Sequence, residues 1–217
     1  MLTTSFKDGL ASSASFCTIL QFLAGILVCR RFIKNGTTGD TSGLAFISCF
    51  MSCSNWLCYG LLIHDSFIVL VNVFGATLQL FYVITFMLYS VKKSTILKQL
   101  IGSITFVTFV FTYSMLEPNR ALAAQRIGFL SCSTTIFFFA SPLTMLAYVI
   151  RIKSAESLPF PIIISSLICC CQWFAYGCIQ KDLFIQLPNF LGIALSMFQV
   201  SLFFIYPGKK VDQVHFI

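Results

Sequence analysis

Seven apolar runs dominate this chain: Ser12–Cys29, Leu44–Ile63, Phe67–Val91, Leu100–Leu116, Ile127–Ile150, Phe160–Ile179 and Phe184–Tyr206. A helix crosses a hydrocarbon core of about 30 Å with about 20 predominantly apolar residues, so each run reads as a candidate span. With 58% hydrophobic and only 10% charged residues, and a mean hydropathy of +0.90, the chain has too little polar surface to cover a soluble globule. A membrane β-barrel would show alternating segments of roughly ten residues between turns, not unbroken runs such as Phe106–Tyr113. The expected fold is therefore an all-α integral membrane bundle of seven spans. The fourth run is the shortest and is Thr-rich; without it both termini would lie on one side. The first run reads as a retained helix, because only Lys7 precedes it as a base, with Asp8 beside it.

A net charge of +7 raises the question of nucleic-acid binding, and the placement of the bases answers it. Assigning the connections alternately to two sides puts Lys7, Arg120, Arg126 and Lys181 on one. Arg30, Arg31, Lys34, Lys92, Lys93, Lys98, Arg151, Lys153, Lys209 and Lys210 fall on the other. Cytosolic loops carry the excess of Lys and Arg, so the N-terminus is expected outside and the C-terminus in the cytosol. The charge encodes topology, and no nucleic-acid partner is expected. The ten cysteines lie within the apolar runs rather than in outer loops, which argues against a disulfide scaffold. No histidine stands near Cys169-Cys170-Cys171 to complete a metal site, and no cofactor is expected. The sequon Asn35-Gly36-Thr37 falls on the cytosolic side, so a glycan there would overturn the orientation.

The second constraint is a repeat. Shifting the chain by 117 positions lays Trp56–Tyr89 over Trp173–Tyr206 without a gap, and 14 of the 34 pairs are identical. The matches include Trp56/Trp173, Tyr59/Tyr176, Gly60/Gly177, Asp65/Asp182, Asn72/Asn189 and Gly75/Gly192. Upstream, with a three-residue insertion, Ser42–Phe46 corresponds to Glu156–Phe160. Each copy is three helices long, with one helix between them, so both copies enter the membrane in the same orientation. The expected organisation is a first bundle at 1–91, a linker helix and its flanks at 92–123, a second bundle at 124–207 and a cytosolic tail at 208–217. Parallel repeats are a transporter design that places substrate near the midplane at the repeat interface.

The residues that carry this pattern resemble the SWEET sugar transporter family, in its animal, saliva-like branch. The resemblance rests on Lys34–Leu44 (KNGTTGDTSGL), Trp56–Tyr89, Ala140–Thr144 (ASPLT) and Lys153–Pro207, with Gln172-Trp173, Tyr176-Gly177 and Pro188-Asn189. It covers nearly the whole chain. It implies a sugar transporter, not an enzyme, and suggests a homo-oligomer.

Depth along the helices points to a site. Trp56 lies roughly 10 Å of helix before the outer end of its run, and Asn72 roughly 8 Å inside the next run from the same end. Trp173 and Asn189 repeat this. An amide offers two donors and one acceptor to sugar hydroxyls, and an indole face packs on the apolar face of a pyranose, so a neutral polyhydroxyl ligand suits the layer. Taken singly, a membrane asparagine is often interhelical glue and a tryptophan near a helix end part of the aromatic belt. Duplication at matched depth favours the site, and the resemblance implies that Asn72, Asn189, Trp56 and Trp173 form the sugar pocket. Ser52 and Cys169, one turn before the tryptophans, would complete the lining. Gly75 and Gly192, three positions beyond the asparagines, would allow either close helix approach or room for ligand.

The seven acids, Asp8, Asp40, Asp65, Glu117, Glu156, Asp182 and Asp212, fall at or beyond helix ends, as do His64 and His215. Proton-coupled carriers keep such groups within the membrane, so a bidirectional uniporter is expected. The resemblance implies an outer latch of Tyr59 with Asp182, mirrored by Asp65 with Tyr176. It also implies hinge prolines in four helices. This chain keeps Pro142 and Pro159, with Gly25 and Ala45 at the other two positions. Alanine is a good helix former, so the first copy is expected to hinge less.

Rival readings fit less well. A seven-helix receptor or opsin does not predict a three-helix repeat, and the last run has no lysine for a retinal Schiff base. A sorting receptor of the same plan would need charged pocket groups. A membrane enzyme would need ligand clusters or paired carboxylates within the runs. The plasma membrane is the expected location, with the Golgi or another internal membrane as the alternative.

Overall fold

The computed structural model describes residues 2–39 and 41–207; Asp40, the tail and its Lys209, Lys210, Asp212 and His215 lie outside the described residues. Among the described residues there are only helices and their connections: α1 (Leu2–Leu23), α2 (Gly25–Asn35), α3 (Leu44–Leu62), α4 (Ser66–Tyr89), α5 (Lys93–Leu116), α6 (Arg120–Phe138), α7 (Ala140–Ile152), α8 (Phe160–Gln180) and α9 (Leu183–Ile205). They make seven stretches long and apolar enough to cross a membrane, α1 with α2 and α6 with α7 each forming one. Large apolar side chains such as Leu70, Phe81, Phe109 and Phe137 are exposed, as lipid-facing positions require.

Two features depart from the sequence reading. The fourth span is not short: α5 starts at Lys93 and runs 24 residues. The apolar run hid its first two turns because Lys93 and Lys98 interrupt it, and long basic side chains tolerate a helix end by reaching outward. The first and fifth spans are each broken once. At Ala24 the chain tightens, with the Ala24 amide donating to the Gln21 carbonyl at 3.2 Å and the Leu27 amide to the Ala24 carbonyl at 3.1 Å. These are three-residue bonds of the 3₁₀ type. Phe139 makes the corresponding break, its amide donating to the Ile136 carbonyl at 3.0 Å. There Pro142 has no N–H for the Phe138 carbonyl, which accounts for the interruption. The first span has no proline.

Packing divides the chain into two units, residues 1–134 and 135–217, so α5 packs within the first. In that unit Phe32, Ile47, Val83, Phe86, Ile96 and Leu100 form a core drawn from α2, α3, α4 and α5. Phe32 meets Phe86 edge to face at 5.5 Å. At the far end of α5, the Tyr113 hydroxyl accepts from Arg126 at 2.9 Å and donates to Glu117 at 3.2 Å, while Arg120 donates to the Ser114 carbonyl at 2.7 Å. This clasp holds the α5–α6 turn. In the second unit Leu146, Val149, Ala155, Leu158, Ile163 and Leu202 form the core, and the Ala155 amide donates to the Tyr206 carbonyl at 3.0 Å.

The repeat is visible in both packings. Phe46 and Phe86 touch with ring centres 6.2 Å apart, and Phe160 and Phe203 touch at 5.0 Å. These pairs correspond under the two registers read from the sequence, so the three-residue insertion lies between α8's first turn and Trp173 without disturbing either contact.

Candidate functional site

In each unit the candidate site residues fall on one helical hairpin, α3–α4 or α8–α9. The turns are duplicates. His64 and Lys181 adopt left-handed backbones with φ of 57° and 56°. The amides of Asp65 and Asp182 then fold back onto the Gly60 and Gly177 carbonyls, each at 2.9 Å. This closes α3 and α8 in the manner of a Schellman turn. The two aspartates cap the next helices: Asp65 accepts from the Phe67 and Ile68 amides at 3.0 and 3.1 Å, and Asp182 from the Phe184 and Ile185 amides at 2.9 and 3.3 Å. A carboxylate here satisfies two orphan donors and complements the helix dipole. The acids read from sequence as gate members therefore also hold the hairpins together.

Above each turn stands an aromatic pair. Trp56 packs edge to face on Tyr59 at 5.7 Å and 81°, and Trp173 on Tyr176 at 5.6 Å and 87°. The tyrosines are buried, the tryptophans half-buried. Asn72 donates its amide to the Ile68 carbonyl at 2.8 Å, and Asn189 does the same to Ile185 at 2.7 Å. Each amide is thus pinned along its own helix by a bond to the residue four before it, fixing its rotamer and leaving the side-chain carbonyl oxygen as an acceptor. Both asparagines remain half-buried. Ser52 is half-buried and Cys169 buried, each one turn before its tryptophan. Within its own unit, then, each tryptophan is brought onto its tyrosine, and each asparagine onto its own helix.

The glycines have a definite role. A Cβ on Gly75 would lie 2.6 Å from the Phe22 ring and 2.8 Å from Cys53 Sγ, and one on Gly192 would lie 2.7 Å from Cys170 Sγ. Close packing claims Gly75 from two sides, whereas Gly192 is crowded by Cys170 Sγ alone. Pro142 and Gly25 stand at or just after the broken points of their spans. Pro159 instead is the N-cap residue of α8, and Ala45 is the second residue of α3. A proline in a first turn removes only an amide that has no helical partner, so the exchange of Ala45 for proline alters little at this end.

The sequence reading missed Asn55. It is fully buried at 0% exposure, one position before Trp56, and its amide nitrogen and oxygen have no hydrogen-bond partner among the described residues. Its counterpart in the repeat is Gln172. A paired amide before each tryptophan of an apolar helix was the available signal.

A profile of the family described as "sugar efflux transporter for intercellular exchange" matches the chain twice, over residues 9–94 and 125–211. The chain belongs to the SWEET family. The two matches to one SWEET profile coincide with the two copies of the repeat. The SWEET1 sugar transporter of Drosophila pseudoobscura pseudoobscura is 43% identical over 207 residues, covering 93% of this chain and 90% of that protein. The bidirectional sugar transporter N3 of Medicago truncatula is 31% identical, covering 94% of this chain and 77% of that protein. A solved eukaryotic SWEET transporter superposes with a TM-score of 0.89 at 27% identity, covering 95% of this chain and 99% of that one. The chain is a multi-pass membrane protein of a transporter family, not an enzyme.

Proposed function

We propose that this protein is a facilitative, bidirectional sugar uniporter that works by alternating access. Asn72, Asn189, Trp56 and Trp173 hold the sugar, lined by Ser52 and Cys169. The observation that carries this reading is the duplicated half-site: in each unit an asparagine pinned to its own helix keeps a side-chain carbonyl as an acceptor, and a half-buried tryptophan is braced by a buried tyrosine. Prepaid orientation of this kind is what a weakly held neutral ligand needs. The names of the relatives, sugar transporters from fly to legume, agree with it.

Tyr59 with Asp182 and Asp65 with Tyr176 form the outer gate in this reading. Gly25, Pro142 and Pro159 mark where spans bend. The bundles are 1–91 and 124–207 with 92–123 as linker, the N-terminus lies outside, the plasma membrane is the location, and the protein assembles as a homo-oligomer. Among the described acids, Asp65, Glu117 and Asp182 cap helices and Glu156 lies in a connection. Asp8, expected at or beyond a helix end, sits instead in the second turn of α1, near the start of its span. None of these acids lies mid-span, which supports transport without a coupled proton.

Tracer uptake into proteoliposomes with glucose, fructose, sucrose and trehalose tests the proposal. At least one sugar is expected to equilibrate without a proton or sodium gradient, and Asn72→Ala and Asn189→Ala to abolish most of the flux. Variants that insert normally and transport as wild type would sink the site assignment.

A further inference from the structure

The two broken spans are not held alike. In the first unit, Tyr82 of α4 lies across the break: its hydroxyl donates to the Phe22 carbonyl at 2.9 Å. Its ring rests so closely on Gly25 that a Cβ there would run into it. The ring is buried at 4% exposure and meets Phe46 edge to face at 5.7 Å. Tyr82 thus clamps the break from the side, filling the space that glycine leaves and satisfying a carbonyl at the point where helical bonding is disturbed.

In the second unit the position equivalent to Tyr82 is Gln199, and Pro142 stands where Gly25 does. A cavity of about 280 Å³ opens there, among Phe139, Pro142, Pro159, Gly192, Ser196 and Gln199. Their counterparts in the first unit include Phe22, Gly25, Ala45, Gly75, Gln79 and Tyr82. There Phe22 packs onto Gly75 and Tyr82 onto Gly25. One copy has a plugged break and the other an open one.

We propose that Tyr82 is a positioning residue that fixes the break of the first span, and that the cavity beside Phe139–Pro142 is the room into which the second unit's broken span bends during the transport cycle. Side chains packed without voids resist displacement, whereas a cavity beside a proline break removes both the packing and the bond that oppose bending. The link to the cycle rests on the alternating-access reading above; the clamp itself does not.

Hydrogen exchange on the full-length protein in nanodiscs separates the two. Tyr82→Phe keeps the ring and removes the hydroxyl. Exchange at amides 24–27 is expected to rise about three- to tenfold, the loss of one net hydrogen bond, with no change at 140–145. Gln199→Tyr places a phenol in the cavity; it is expected to slow exchange at 140–145 and to lower turnover in proteoliposomes severalfold while KM for the sugar stays near wild type. Unchanged exchange at 24–27 in Tyr82→Phe, or unchanged turnover together with unchanged exchange at 140–145 in Gln199→Tyr, overturns the proposal. So does protection lost across the whole first unit in Tyr82→Phe, which would make Tyr82 an ordinary core residue. If the wild type moved no sugar, the proposed function would fall while the exchange contrast still decided the clamp.

Discussion

The hairpin ends of the two units are near copies, whereas the breaks in their first helical spans are packed differently. At the hairpins, the capping aspartates, left-handed turn residues, edge-to-face Trp–Tyr pairs and pinned asparagines agree to within 0.2 Å in nearly every bond and ring distance. At the breaks, Tyr82 faces Gly25 in one unit while Gln199 and Pro142 border a cavity in the other. The duplicated chemistry coincides with the proposed sugar contacts, and the difference falls on the breaks proposed to move.

The largest expected effect tests the matched half. If the half-sites share the sugar evenly, Asn72→Ala and Asn189→Ala each lower kcat/KM for the transported sugar by about tenfold or more, as loss of one or two hydrogen bonds does. Flux assays that found one variant silent and the other crippled would break the symmetry. Next comes the helix contact. Gly75→Ala drives a methyl into the Phe22 ring and Cys53 Sγ, and overpacking of this kind costs about 1–3 kcal/mol. Gly192→Ala meets only Cys170 closely, with its next neighbours at 3.6 Å, so thermal unfolding should show a smaller loss.

A smaller effect separates two roles of one acid. Asp65→Ala and Asp182→Ala each forfeit a cap, worth about 1 kcal/mol, whereas the Asp→Asn variants keep it. Thermal unfolding of the Asn variants should stay near wild type, so any change in their transport reports on the gate and not on the fold. The smallest shift has the opposite sign. His64→Gly and Lys181→Gly relieve left-handed backbones at φ of 57° and 56° and should stabilise each hairpin by up to about 1 kcal/mol, equally in both units.

The seven spans were legible because a bilayer demands a long apolar run, a one-dimensional property. The repeat was legible because Trp56, Asn72 and their partners recur at a fixed offset. The breaks were legible only as the hinge positions Gly25 and Pro142 that the family resemblance implied, not from local pattern. At Ala24-Gly25 no proline announces one, and the residue that clamps it, Tyr82, is 57 positions away from Gly25 in sequence (82 − 25). Pro142 was visible, but the Phe139 break it causes needs the missing Phe138 bond to be located. The acids at 65 and 182 read from sequence as residues at or beyond helix ends and, by the resemblance, as gate members. Their capping role follows from the pattern Asp-x-Phe-Ile, which the sequence shows twice. Asn55 lies one position outside the ungapped repeat and its counterpart at 172 is glutamine, so a recurrence of identical residues does not single it out. The choice left open for Gly75 and Gly192 needed neighbours that are distant in sequence, Phe22 and Cys53 in one case and Cys170, on the facing helix, in the other.

The composition of the two cores carries one more consequence, for the order of synthesis. The first core needs nothing beyond Leu100, so it can close while the second copy is still being made. The second core waits for Leu202, near the end of the described chain. During that interval α5, already anchored through Ile96 and Leu100, keeps the early copy's buried face occupied and denies it to the late-arriving, closely similar helices of its own duplicate.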